Sequence, residues 1–201
     1  MTTDQEEDGT WIFGYGSLIW KAEFPYVKSI RGCVKGWCRR FWQGSIDHRG
    51  TQDAPGRVVT LVPAETVRSM GQAYTDESFV TWGVGYLIKK AEVEKVLQYL
   101  DYREKNGYSK VLVDIYEKED AELPVVRDAL IYIASETNRQ WLGPSDEKVM
   151  IEHIFKSRGP SGSNREYFEK LVDSMRSFGI YDAHLESLTS VAQQQIETAF
   201  Q

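Results

Sequence analysis

Ile12 to Trp20 read IFGYGSLIW. The stretch begins as an apolar strand, breaks on Gly14-Tyr15-Gly16-Ser17, and turns apolar again at Leu18-Ile19-Trp20. Glycine weakens a strand interior unless the backbone must bend or another group must come close. The pattern therefore marks a first strand that ends in a tight loop. Two readings of that loop stand side by side. One is a plain turn or bulge. The other is a nest, whose bare N–H groups face a small anionic or carbonyl-bearing ligand. A nucleotide site is excluded: a dinucleotide fingerprint needs a third glycine where Ile19 stands, and no Gly-Lys-Ser/Thr ending follows.

Working outward, the first half alternates strand-like runs with glycine-marked turns. Strands are expected at Thr10–Phe13, Cys33–Gln43, Arg57–Val62 and Phe79–Ile88. A helix follows at Lys90–Leu100, where Val93, Val96, Leu97 and Leu100 fall at i, i+3, i+4 and i+7 and make one apolar stripe. Strands at Lys110–Tyr116 and Ala129–Ala134 come next, and the last third reads as helices. Ser145 is the expected cap of a helix carrying Met150, Ile151, Ile154 and Phe155. Ser163 and Glu166 make a capping box for the next helix, and Gly179 closes it. A final helix spans about Asp182–Phe200. Strands first and helices last, with little βαβ alternation, predict an α+β fold.

The chain has 201 residues, 41% hydrophobic and 12% aromatic, which suffices for one sizeable core. The acidic start, MTTDQEEDG, lacks the layout of a signal peptide. Residues 1–9 are therefore expected to be a disordered acidic tail, and residues 10–201 a single domain. The net charge of −6 and the lack of any basic cluster with interleaved aromatics argue against a nucleic-acid partner. No apolar run approaches the ~18 residues of a membrane span. A cytoplasmic protein is expected, and the two cysteines, Cys33 and Cys38, agree with a reducing compartment. Read as one strand, that segment puts them on opposite faces, unsuited to a disulfide or a metal. His48, His153 and His184 show no ligand spacing.

Four further stretches carry candidate chemistry. Asp101 to Tyr108 (DYREKNGY) sits where the amphipathic helix ends. Its Glu104 is either a solvated helix-end charge or, between Tyr102 and Tyr108, a carboxylate of raised proton affinity able to act as general base. Arg39 to Gln43 (RRFWQ) offers arginines that could hold a substrate carboxylate, although a strand-edge role fits as well. Asp47-His48-Arg49-Gly50-Thr51 reads as a long hairpin tip. Gly159 to Tyr167 reads as a loop running into a capped helix and is not a nucleophile elbow.

Six stretches in order resemble the ChaC-type γ-glutamylcyclotransferases, in their glutathione-specific branch. They are Trp11–Lys21, Arg39–Gln43, Asp47–Thr51, Pro55–Leu61 (PGRVVTL), Arg103–Tyr108 and Gly159–Asn164. Together they span nearly the whole chain. The acidic tail and a stretch at Glu65–Ser78 that looks longer than in compact members are the departures. The resemblance implies a compact β-barrel or mixed sheet with surrounding helices. It implies cofactor-free, metal-free conversion of glutathione to 5-oxoproline and cysteinylglycine, with Glu104 as the catalytic residue. It places substrate on the loop running through Ile12, Phe13, Gly14, Tyr15, Gly16, Ser17 and Leu18. Arg39 and Tyr108 join the expected binding residues.

That chemistry suits the residues. A γ-glutamyl group carries its own nucleophile, since its α-amine can reach its own γ-carbonyl, so no protein serine or cysteine is required. A free α-amine has a pKa of about 8, and a carboxylate beside it can take its proton and later pass one to the leaving nitrogen. The alternatives are action on other γ-glutamyl peptides or amines, and a non-catalytic binding module of the same fold.

Overall fold

The computed structural model describes residues 8–70, 79–103 and 107–199. In chain order the elements are β1 (Gly9–Gly14), a 3₁₀ turn (Ser17–Ile19), β2 (Lys28–Lys35), β3 (Trp37–Ser45), β4 (Gly56–Pro63), α1 (Ala64–Ser69), β5 (Val80–Lys89), α2 (Lys90–Arg103), β6 (Ser109–Ile115), β7 (Val126–Ile133), α3 (Glu147–Lys156), a two-residue hairpin at Arg158–Gly159 and Gly162–Ser163, α4 (Asn164–Ser177) and α5 (Ala183–Ala199).

The sheet is mixed, ordered β2-β5-β1-β7-β6, and β3 with β4 forms a separate antiparallel ribbon. β1 lies inside, antiparallel to β5 and parallel to β7, with Ile12 opposite Leu130. The fold is α+β, as expected, but the sheet is not a closed barrel. Its two edges, β2 and β6, meet at one pair only, where Cys33 and Tyr116 exchange both backbone bonds at 2.8 Å. The first strand therefore delivers its C-terminal loop to the middle of the molecule. Ile12, Phe13, Phe41, Leu61, Ile88 and Ile131 form the centre of the core, each burial contributing about 1.5–3 kcal/mol.

The single strand expected at Cys33–Gln43 is two strands. Gly36 has φ +80°, a left-handed conformation that glycine adopts without a Cβ penalty, and it turns the chain out of the main sheet into the ribbon. Cys33 and Cys38 consequently sit in different sheets, both buried and neither in a disulfide. Burial, then Glu119, pushes the Cys33 thiol up to about 11, so it is inert.

The helices follow their caps. In α2 the predicted stripe faces inward, with Val96 and Leu100 buried and Val93 and Leu97 packed on the core. Asp146, one residue beyond the expected Ser145, caps α3 by accepting from the Lys148 and Val149 N–H groups. The Ser163 hydroxyl caps α4 at the Glu166 N–H. At the far end Gly179 has φ +71°, its N–H reaches Arg176, and the Ile180 N–H reaches back to Met175. That is a Schellman closure, and it aims the chain so that Asp182 starts α5 beneath β3.

The tail expected over residues 1–9 lies outside the described residues up to residue 7; Gly9 already opens β1, and Asp8 pairs with Lys90. In the stretch Glu65–Ser78, residues 65–69 belong to α1 and residues 71–78 lie outside the described residues. Among the described residues no helix is long and apolar enough to cross a membrane.

Candidate functional site

The loop after β1 is built by its carbonyls. Tyr15 O accepts from Arg39 Nε at 3.0 Å. Gly16 O accepts from the Ile19 N–H at 2.9 Å, and Ser17 O from the Lys21 N–H at 3.0 Å. Leu18 O accepts from the Tyr86 hydroxyl at 2.6 Å. Burial, then Tyr26, pushes that phenol up to about 12, so it stays a donor at any working pH. The N–H groups of Gly16 and Leu18, by contrast, have no protein acceptor among the described residues. A loop whose carbonyls are occupied and whose amides point elsewhere is a donor surface, suited to a carboxylate or a developing oxyanion.

Space around the loop is tight. A Cβ on Gly14 would stand 2.5 Å from Leu18 Cβ, and one on Gly16 would stand 3.0 Å from the Tyr167 hydroxyl oxygen and 3.2 Å from Val59 Cγ2. Ile12 and Phe13, both among the expected binding residues, have their side chains buried in the core. The Tyr15 hydroxyl donates to the Tyr132 carbonyl at 2.5 Å.

Arg39 reaches the site from below. It is 1% exposed, and besides Tyr15 O its guanidinium donates to the Trp82 carbonyl and pairs with Asp182. Asp182 in turn caps α5, its other oxygen accepting from the Leu185 N–H at 3.1 Å. Arg39 therefore fixes the shape of the loop and joins it to the last helix. The arrangement does not leave its fork turned toward a ligand, as a carboxylate-holding arginine would require.

The opposite side is assembled around Tyr132 and Asn138. The Tyr132 hydroxyl donates to Asp101 at 2.8 Å, near the end of α2, and Lys110 bonds the same carboxylate at 2.7 Å. These contacts hold Asp101 below the usual carboxylate range. Asn138 Nδ2 donates to the Gly107 carbonyl at 2.9 Å. Tyr108 follows Gly107, half-buried against the core, one residue before β6 begins. Glu104 lies outside the described residues; Asp101 before it and Gly107 after it are both anchored next to the end of β7.

Tyr167 was not singled out by the sequence. It is buried on α4, its hydroxyl sits over Gly16, and its ring packs edge-on against Trp20 with centroids 5.5 Å apart. Helical periodicity alone marks it as core. The remaining quoted stretches are clamps. Asn164 exchanges two bonds with the Arg57 backbone, at 2.6 and 2.7 Å. Arg57 donates to the Phe41 and Gly143 carbonyls. His48 and Arg49 tie the hairpin tip to Ser161 and Ser163.

Comparison with known proteins gives these features a context. A family model described as ChaC-like protein matches residues 10–195. A glutathione-specific γ-glutamylcyclotransferase 1 of Rattus norvegicus is 40% identical over 92% of this chain and 79% of its own length. A glutathione-specific γ-glutamylcyclotransferase of Schizosaccharomyces pombe is 35% identical over 98% of both chains. The crystal structure of a γ-glutamyl cyclotransferase specific to glutathione from yeast superposes with a TM-score of 0.79, at 32% identity, over 92% of this chain and 96% of the other. With a shared architecture and a match that runs from β1 into α5, the chain belongs to the ChaC-like protein family.

Proposed function

We propose that this chain is a cytoplasmic, cofactor-independent γ-glutamylcyclotransferase that converts glutathione to 5-oxoproline and cysteinylglycine, as a single domain over residues 10–201. The observation that carries the reading is the loop at Gly14–Leu18, with the Tyr15 to Leu18 carbonyls bound and the Gly16 and Leu18 amides without an acceptor among the described residues. Its support is the set of relatives named for this reaction.

In this mechanism the α-amine of the γ-glutamyl group attacks its own γ-carbonyl carbon. Glu104 first takes one proton from the ammonium. A C–N bond then forms and closes the five-membered ring. The carbonyl oxygen becomes an oxyanion facing the loop amides, and the Tyr167 hydroxyl stands at the same edge of the loop. The tetrahedral intermediate collapses and the bond to the cysteinyl nitrogen breaks. Glu104 returns its proton to that nitrogen, and the second proton of the ring nitrogen leaves with the amine, which departs as ammonium. No water is consumed and no oxidant or metal is called for. Holding the substrate folded recruits an intramolecular advantage of up to ~7–11 kcal/mol. Tyr108 packs half-buried on the core just after the Gly107 turn, and Arg39 acts by shaping the loop.

The test is to incubate the protein with glutathione and quantify 5-oxoproline, cysteinylglycine and free glutamate by mass spectrometry, in ¹⁸O-labelled water. The expected result is both products, no free glutamate and no label in 5-oxoproline. N-acetylated glutathione, whose nucleophile is blocked, should not turn over. Free glutamate or turnover of the acetylated compound would overturn the mechanism, and faster turnover of other γ-glutamyl dipeptides would overturn the substrate assignment.

A further inference from the structure

Gln43 on β3 is fully buried, and its Oε1 is a buried side-chain acceptor with no hydrogen-bond partner among the described residues. Its orientation is forced by its neighbours. Asn138 Oδ1 accepts from the Gln140 N–H at 2.8 Å, and Asn138 Nδ2 donates to the Gly107 carbonyl at 2.9 Å. Asn138 thus turns an oxygen toward Gln43, which answers with its Nε2 at 3.3 Å. Turning the Gln43 amide over would set oxygen against oxygen. Oε1 is left as a buried acceptor that no described residue reaches, at the desolvation cost of such a group. An apolar side chain of equal volume would fill the position without that cost.

What the amide provides is the grip on Asn138, and through it on Gly107. Gly107 has φ +86°, and a Cβ there would stand 3.2 Å from Asn138 Nδ2, so the turn is fitted to this asparagine. Gly107 lies three residues after Glu104 in the chain. Asp101, three residues before it, is tied by Tyr132 and Lys110. Both flanks of the stretch that carries Glu104 are therefore fastened, one of them by an amide that stability alone does not favour.

We propose that Gln43 and Asn138 form a positioning relay that holds the Gly107 turn, three residues after Glu104 in the chain, for the chemistry of the site; this rests on the role given to Glu104 above. The relay accepts an unsatisfied buried group in exchange for geometry, as functional sites do.

The experiment is Gln43→Met, which keeps the volume and removes the donor. The expected result is a melting temperature unchanged or raised, kcat down by about tenfold to a hundredfold with KM held, and faster amide hydrogen exchange at Gly107 and Tyr108. Asn138→Asp, which loses the donor to Gly107, is a second variant with the same expected kinetic split. A lowered melting temperature with wild-type kcat assigns Gln43 to packing and overturns the relay, as does wild-type exchange at Gly107. If the unmutated protein does not cleave glutathione, the parent reading falls alone; exchange at Gly107 in Gln43→Met still decides the relay.

Discussion

The loop at Gly14–Leu18 is pinned through its main chain, carbonyl by carbonyl, from β3, β5 and its own 3₁₀ turn. The turn at Gly107 is held at a single carbonyl, by Asn138, and Asp101 before it by the side chains of Tyr132 and Lys110. Several bonds at once hold the loop, and they draw on Arg39 and Tyr86, residues of the buried interior. The single bond at Gly107 can be loosened without disturbing a strand. Damage to the first region should therefore show in stability as much as in rate, and damage to the second mainly in rate.

The sharpest test of that contrast is Glu104→Gln. It keeps the shape, cannot accept a proton, and should lower kcat by about 10²–10⁴ while the melting temperature stays put. Steady-state kinetics and a thermal melt check both halves. A folded variant with near-native kcat removes Glu104 from the mechanism.

Arg39→Met should give the reverse signature. It strips donors from the Tyr15 and Trp82 carbonyls and leaves Asp182, whose side chain is 13% exposed, without its counter-charge. Breaking a buried pair from one side costs about 3–5 kcal/mol, measurable by denaturant unfolding. Unchanged stability with lost binding would instead give Arg39 a direct contact with substrate.

The smallest effect is expected from His184, beneath the same loop. Its Nε2 accepts from the Phe41 N–H at 3.4 Å. Burial, then Arg40 and Arg39, holds its pKa well below 6.5. The unfolded chain takes up a proton near that pH and the folded chain does not. Stability should accordingly fall as pH drops below about 6.5. His184→Gln should flatten the slope of melting temperature against pH between about 5 and 7. An unaltered slope would mean the ring titrates freely in the folded state.

The apolar periodicity of α2 and the cap signals of α4 were legible because they are local: Val96 and Leu100 face the core, and Ser163 and Gly179 end the helix as their chemistry dictates. The break at Gly36 was not, because an alternating run reads the same whether it continues or folds back. Asp146 took the cap from Ser145 because both are good acceptors and only backbone geometry chooses. Within the site, the glycine loop announced itself, but what holds it did not. Asp182 is far from Arg39 in the chain, and a sequence cannot show that a guanidinium is already taken. Tyr167 looked like any core residue on a helix face. The orphaned amide of Gln43 is a property of three neighbours together, none of which is unusual alone.

The placement of β1 has a consequence for the order of events during synthesis. The strand and its loop are translated before their partners, yet β1 closes between β5 and β7, and Arg39 waits for Asp182. A nascent chain can hold its ribbon and much of its sheet while the loop still lacks its lock. The loop therefore gains its lock only once Asp182 and the start of α5 have been made, long after its own residues were translated.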